Sequence, residues 1–116
     1  MRICLIGYGY WGKNLARVFG KDLVGICDYD QDNLDKAKKL YDVRYFSNHH
    51  ELYQSDLDYD TVAIATKADT HFELATTFLI DNKNIWLEKP ACIKTKDIEY
   101  LIKIRKNNKV FVDHTF

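Results

Sequence analysis

The sequence is poor in the residues that divide a chain or staple it. Proline occurs once, as Pro90, and glycine five times in 116 residues, so no Pro- or Gly-rich linker interrupts it and one compact domain is expected. The three cysteines, Cys4, Cys27 and Cys92, stand far apart. With no Cys-x-x-Cys or His/Cys cluster they suggest neither zinc nor redox chemistry, and the first two sit in apolar runs where a thiol behaves as a small buried hydrophobe. A reducing cytoplasm is the expected setting. No stretch approaches the ~20 apolar residues of a membrane span, and no basic segment leads into a long apolar one at the start, so neither anchor nor leader is expected. Net charge is missing as well. Seventeen basic and 17 acidic residues give a formal charge of zero, which removes the field that nucleic acid or an anionic membrane would need.

What is present is alternation. Apolar, strand-like runs fall at 2–7, 23–28, 61–65, 84–87 and 109–113, with a weaker one at 43–46, and amphipathic helical stretches separate them. Trp11, Leu15, Ala16, Val18 and Phe19 form the first apolar stripe; Leu34, Ala37, Leu40 and Tyr41 the second; Phe72, Ala75, Phe78 and Leu79 the third; Ile98, Leu101 and Ile102, with Arg105, the fourth. Thr95 and Ser47 are candidate N-caps, the latter for a short helix carrying Leu52. The expected fold is a doubly wound α/β domain: a mostly parallel, six-stranded Rossmann sheet in order 3-2-1-4-5-6 with helices on both faces. Its ligand crevice lies at the carboxyl ends of the strands.

The first strand runs directly into Gly7-Tyr8-Gly9-Tyr10-Trp11-Gly12, and Asp28 ends the next apolar run 21 positions after Gly7. This is the G-x-G-x-x-G fingerprint of a dinucleotide site in its confirming context. Gly7 permits the tight turn, Gly9 admits a pyrophosphate to the backbone, and Gly12 lets the helix sit against the strand. The helix starting near Trp11 presents free N–H groups and its positive dipole end to phosphate. Asp28 can accept from both adenosine ribose hydroxyls and would repel a 2′-phosphate, and Tyr29, Asp30 and Gln31 supply no arginine to hold one. NAD is therefore expected in preference to NADP. A competing reading makes Asp28 a cap for the turn or the second helix.

Three further segments emerge at the same edge: Asp28-Tyr29-Asp30, the stretch from Ala65 and Thr66 to His71, and Glu88-Lys89-Pro90. With the closing Val112-Asp113-His114-Thr115-Phe116, these motifs resemble the N-terminal half of the glucose-fructose oxidoreductase/inositol dehydrogenase/MocA group over essentially the whole chain. Glu-Lys-Pro is the discriminating motif, since generic Rossmann domains do not carry it. The resemblance implies that Lys89 reaches the nicotinamide ribose and the substrate's reacting hydroxyl, as a catalytic residue. It implies cofactor contacts from Gly7, Gly9, Tyr10, Trp11, Gly12, Asp28, Ala65, Thr66, His71, Glu88 and Lys89, with His71 opening the next helix. Lys67 stands where the family usually has proline. The resemblance also implies a second domain, absent from this chain, that supplies substrate contacts and a histidine acid/base, so little turnover is expected from this chain alone. The substrate class is a sugar, cyclitol or nucleotide sugar.

Other readings are weaker. His49-His50 could suggest a metal, but adjacent helical residues point about 100° apart and no partner is arranged around them, so no metal site is expected. His114 could act as a base. An S-adenosylmethionine methyltransferase also uses a glycine-rich loop and an acidic second-strand end, but not the complete three-glycine spacing with Glu-Lys-Pro. A non-enzymatic NAD-responsive module acting through a partner chain remains the alternative, and the surrounding reading frame would separate the two. Trp11, Trp86, Phe111 and Phe116 are candidates for apolar surface left for a partner, giving a weak homodimer.

Overall fold

The computed structural model describes residues 1–66, 68–88 and 95–113. Six strands, β1 (Ile3–Ile6), β2 (Leu23–Cys27), β3 (Arg44–Phe46), β4 (Thr61–Ile64), β5 (Asn84–Glu88) and β6 (Val110–Asp113), form one sheet in the order β3-β2-β1-β4-β5-β6. Every neighbouring pair is parallel. The helices between them are α1 (Tyr10–Phe19), α2 (Gln31–Lys38), α3 (His49–Tyr53), α4 (Ala68–Ile80) and α5 (Thr95–Ile104). The expected topology is thus the observed one.

Period-two alternation sorts the core into two layers. Ile3 and Leu5 turn to one face with Leu15, Ala16 and Phe19 of α1 and Leu34 and Ala37 of α2. Cys4 and Ile6 turn to the other, with Leu52 of α3, Phe78 and Leu79 of α4 and Leu101 of α5. Central strands β1 and β4 are therefore buried along their whole length, as a sheet covered on both faces requires. Cys4 and Cys27 are free thiols inside this core. Burial, then the neighbouring Asp28 charge, pushes the Cys27 thiol up to about 12, so it stays protonated and inert.

Several stripe residues are not core. Gly12, Leu15, Ala16 and Phe19 define the buried face of α1; at 100° per residue Trp11 and Val18 fall on its flank and are 44% and 72% exposed. Leu40 follows the end of α2 at Lys38 and is exposed. Ile102 sits next to Leu101 around the helix and is exposed too. Asn48, not Ser47, caps α3: its Oδ1 accepts from the Glu51 N–H at 2.9 Å, while the Ser47 N–H donates back to Glu51 Oε1 at 2.8 Å. That reciprocal pair is a capping box displaced by one residue.

Candidate functional site

The carboxyl edge of the sheet opens into a cleft of about 720 Å³ lined by Gly7, Gly9, Asp28, Ala65 and Thr66, within the ~300–1,000 Å³ usual for ligand sites. Tyr29, Asp30, Asn33, His49, Glu73 and Leu74 complete the wall. Five residues expected from sequence at the cofactor are therefore brought together.

The three fingerprint glycines have different reasons to be glycine. At Gly7 φ is +100°, and a Cβ would lie 2.8 Å from the Ala65 carbonyl oxygen. At Gly12 a Cβ would lie 1.9 Å from the Gly7 carbonyl oxygen, so any side chain would force α1 off β1. Gly9 differs on both counts. Its φ of −82° and ψ of −154° are open to any residue, and nothing lies within 4 Å of where its Cβ would stand. Neither packing nor backbone geometry within the described residues asks for glycine there, and the open position faces the cleft that Gly9 lines. The helix it caps has no side-chain cap and no acidic residue in its first turn, leaving N–H donors and the positive dipole end for an anion. These features fit the pyrophosphate of a dinucleotide.

At the other end of the cleft, Asp28 is held from three sides. Its Oδ2 accepts from the Tyr8 N–H at 2.8 Å and from Asn33 Nδ2 at 3.1 Å, and its Oδ1 from the Asp30 N–H at 2.8 Å. The carboxylate thus does hold the turn, while Asp30 caps α2 by accepting from the Asp32 N–H at 2.9 Å. A carboxylate has about four acceptor positions, so Oδ1 keeps room for a ribose hydroxyl. Asp28 N–H donates to the Phe46 carbonyl and Gly7 N–H to the Cys27 carbonyl, which locks loop, turn and sheet together.

Tyr10 and Trp11 stack edge to face at 5.3 Å on the first turn of α1, with Tyr10 77% exposed, and are not among the cleft's lining residues. His71 lies in the first turn of α4, three residues past its start, and Glu88 ends β5. Lys67, Lys89, Pro90, Cys92, His114 and Phe116 lie outside the described residues. Tyr29 and Asp30 belong to a segment expected at this edge, whereas Asn33, His49 and Glu73 were not expected at the cleft. Asn33 carried a usable signal, being one helical turn and a residue past Asp28; the others come from elements that only the folded sheet brings together. The histidine pair also differs from expectation, since the rings of His49 and His50 are tilted together at 4.2 Å between centroids. Among the described residues no group of three or more His, Cys, Asp or Glu is placed to hold a metal ion.

A family model described as the oxidoreductase family with an NAD-binding Rossmann fold, the Gfo/Idh/MocA group, matches residues 1–116. The chain belongs to that family. Among curated relatives, the myo-inositol 2-dehydrogenase of Thermotoga maritima is 29% identical over 117 residues, 97% of this chain and 35% of its own length. Among solved structures, the WlbA dehydrogenase of Bordetella pertussis, crystallised with NADH and UDP-GlcNAcA, superposes with a TM-score of 0.76 at 26% identity, over 89% of this chain and 32% of that one. A probable dehydrogenase of Thermotoga maritima gives a TM-score of 0.82 at 27% identity, over 97% and 35%. The chain therefore spans about a third of the length of these relatives. It is the NAD-binding Rossmann domain of that oxidoreductase family, and no helix among the described residues is long and apolar enough to cross a membrane.

Proposed function

We propose that this domain binds NAD(H) in preference to NADP(H) and serves an oxidoreductase that moves hydride between the nicotinamide and a hydroxyl of a sugar, cyclitol or nucleotide sugar. The single observation that carries the reading is Gly9, a glycine with an empty Cβ position at an uncapped helix start, facing the cleft that also holds Asp28. In this reading the α1 N–H groups bind pyrophosphate, Gly9 admits it, and Asp28 accepts from a ribose hydroxyl through Oδ1. The second hydroxyl replaces the longer Asn33 hydrogen bond on Oδ2. A 2′-phosphate would meet the carboxylates of Asp28, Asp30 and Glu73, and no lysine or arginine is among the described lining residues.

Bound nicotinamide supplies the hydride acceptor or donor. Lys89, which follows Glu88 in the sequence, is assigned the catalytic role: its ammonium would stabilise the negative charge on the substrate oxygen, both when the hydroxyl gives its proton to the acid/base histidine of the further domain before hydride leaves carbon and, in the reverse direction, as hydride adds to the carbonyl. Ala65, Thr66, His71 and Glu88 border the same edge, and Tyr10, Trp11 and Gly12 shape the phosphate end. Substrate is held through a further domain, as the greater length of the relatives suggests, so the chain alone binds cofactor without turnover. Trp86 and Phe111, half-buried and stacked at 5.8 Å, give it a weakly self-associating face.

The test is to mix the chain with NAD and, in turn, myo-inositol, scyllo-inositol or UDP-linked sugar acids, following reduced nicotinamide absorbance alongside binding calorimetry. Saturable binding without turnover is expected. Turnover by the chain alone contradicts the division of labour, and no binding at millimolar dinucleotide contradicts the reading. Sedimentation velocity over a concentration series checks the association; a strictly monomeric species contradicts it.

A further inference from the structure

Tyr29 and His49 are the two aromatic side chains among the described lining residues of the cleft, and they come from different elements. Tyr29 follows Asp28 directly in the loop after β2; His49 is the first residue of α3. The phenol oxygen of Tyr29 meets Nδ1 of His49 in a short hydrogen bond, and the rings stand edge to face, 6.1 Å apart at 72°. His49 is in turn braced by the His50 ring, and the capping box at Asn48 and Glu51 fixes the start of the helix beneath it. Tyr29 itself is 64% exposed. A loop tyrosine with that much free surface would sample several rotamers; a partner on a second element selects one.

We propose that His49 is a positioning residue for the adenosine end of the cofactor: as a neutral acceptor it takes the Tyr29 phenol hydrogen bond and holds that ring as the wall against which the purine packs. This rests on the cofactor reading above. An imidazole can accept at Nδ1 only when neutral and protonated on Nε2. Burial first, and the adjacent His50 second, hold the His49 pKa below the usual histidine range, with Glu73 pulling the other way. Neutral imidazole is thus the form present near neutral pH, and Tyr29 is the natural donor to it. The position is suited to a purine, since it lies next to Asp28 and away from the helix end that takes phosphate, and an aromatic face held in place is what a base stacks upon.

ADP-ribose is the probe, because it carries the adenosine and pyrophosphate without the nicotinamide. Calorimetric titration of the chain and its Tyr29→Phe, His49→Phe and His49→Asn variants separates the roles. Asparagine places an acceptor oxygen about where Nδ1 stands but does not titrate near neutrality. Tyr29→Phe and His49→Phe are expected to weaken ADP-ribose on the order of five- to tenfold, the scale of losing one well-held stacking surface. His49→Asn should stay within about twofold of the parent. Melting temperatures should differ little, as both side chains lie at the surface. Wild-type affinity in His49→Phe overturns the proposal, as does a His49→Asn variant as weak as His49→Phe. No ADP-ribose binding by the parent chain fails the cofactor reading itself, and this proposal with it.

Discussion

The two halves of the sheet are finished to different degrees. Around β1, β2 and β3, helices α1 and α2 cover one face and α3 the other, and the loops at the carboxyl edge are tied by backbone hydrogen bonds to Cys27 and Phe46. Around β5 and β6, α4 and α5 pack on the same face as α3. On the opposite face Trp86 meets Phe19 edge to face at 5.6 Å and Phe111 at 5.8 Å, and no helix among the described residues covers that end. Among the described residues the first half is covered on both faces and presents a preformed cleft. In the second half Trp86 and Phe111 stay half-buried, which is where the proposed further domain or second copy has something to bury.

This contrast can be broken at the joints that build each half. The largest effect is expected from Gly12→Ala. With a Cβ 1.9 Å from the Gly7 carbonyl oxygen, α1 must leave the strand, at a cost on the order of 4 kcal/mol, a large part of a domain's stability. Denaturant unfolding would show it as a much lower midpoint.

In the second half the sensitive joint is Asn108, 7% exposed. Its Nδ2 donates to the Leu79 and Lys83 carbonyls at 2.9 and 2.7 Å, and its Oδ1 accepts from the Lys106 N–H at 2.8 Å. Asn108→Ala strands those groups together and should cost roughly 2 kcal/mol, read by the same unfolding experiment. Native-state hydrogen exchange should show the loss concentrated around β5 and β6, with β1 and β2 still protected. Uniform loss of protection would mean the halves do not differ in their dependence on this joint.

Gly9→Ala is the smallest structural change and the sharpest functional one. It should cost under about 1 kcal/mol of stability, the scale of an N-cap change, yet weaken ADP-ribose about tenfold or more, because the new methyl stands where the pyrophosphate approaches. An affinity unchanged by Gly9→Ala would remove the reason given for that glycine.

The fold was legible because strand order follows from βαβ alternation and right-handed crossovers, and all six strand runs lay within a residue or two of the observed strands. Residues at helix flanks were harder. Val18 matches the three-residue spacing from Leu15 yet faces solvent, since spacing fixes relative angle but not which side meets the sheet. At the site, the glycine loop and Asp28 are local in sequence and were readable. The Tyr29–His49 hydrogen bond spans 20 positions and depends on β3 pairing beside β2, so no pattern within either segment announces it. The histidine pair does lie at the surface, with His50 exposed and His49 partly buried; the partner of His49 in the loop after β2 was not legible from α3 alone.

The central claim is that the cleft between Gly9 and Asp28 holds NAD-type dinucleotide and discriminates at the ribose. The most direct test is a titration of the folded chain and its Asp28→Ala variant with NADH and NADPH, followed by nicotinamide emission. The account predicts NADH binding tighter than NADPH by about tenfold or more, the scale of one charge-assisted hydrogen bond to NADH set against one repulsion of NADPH, with the preference narrowed in the variant by loss of NADH affinity. Equal affinity for the two in the parent chain, or a preference untouched by Asp28→Ala, would contradict it.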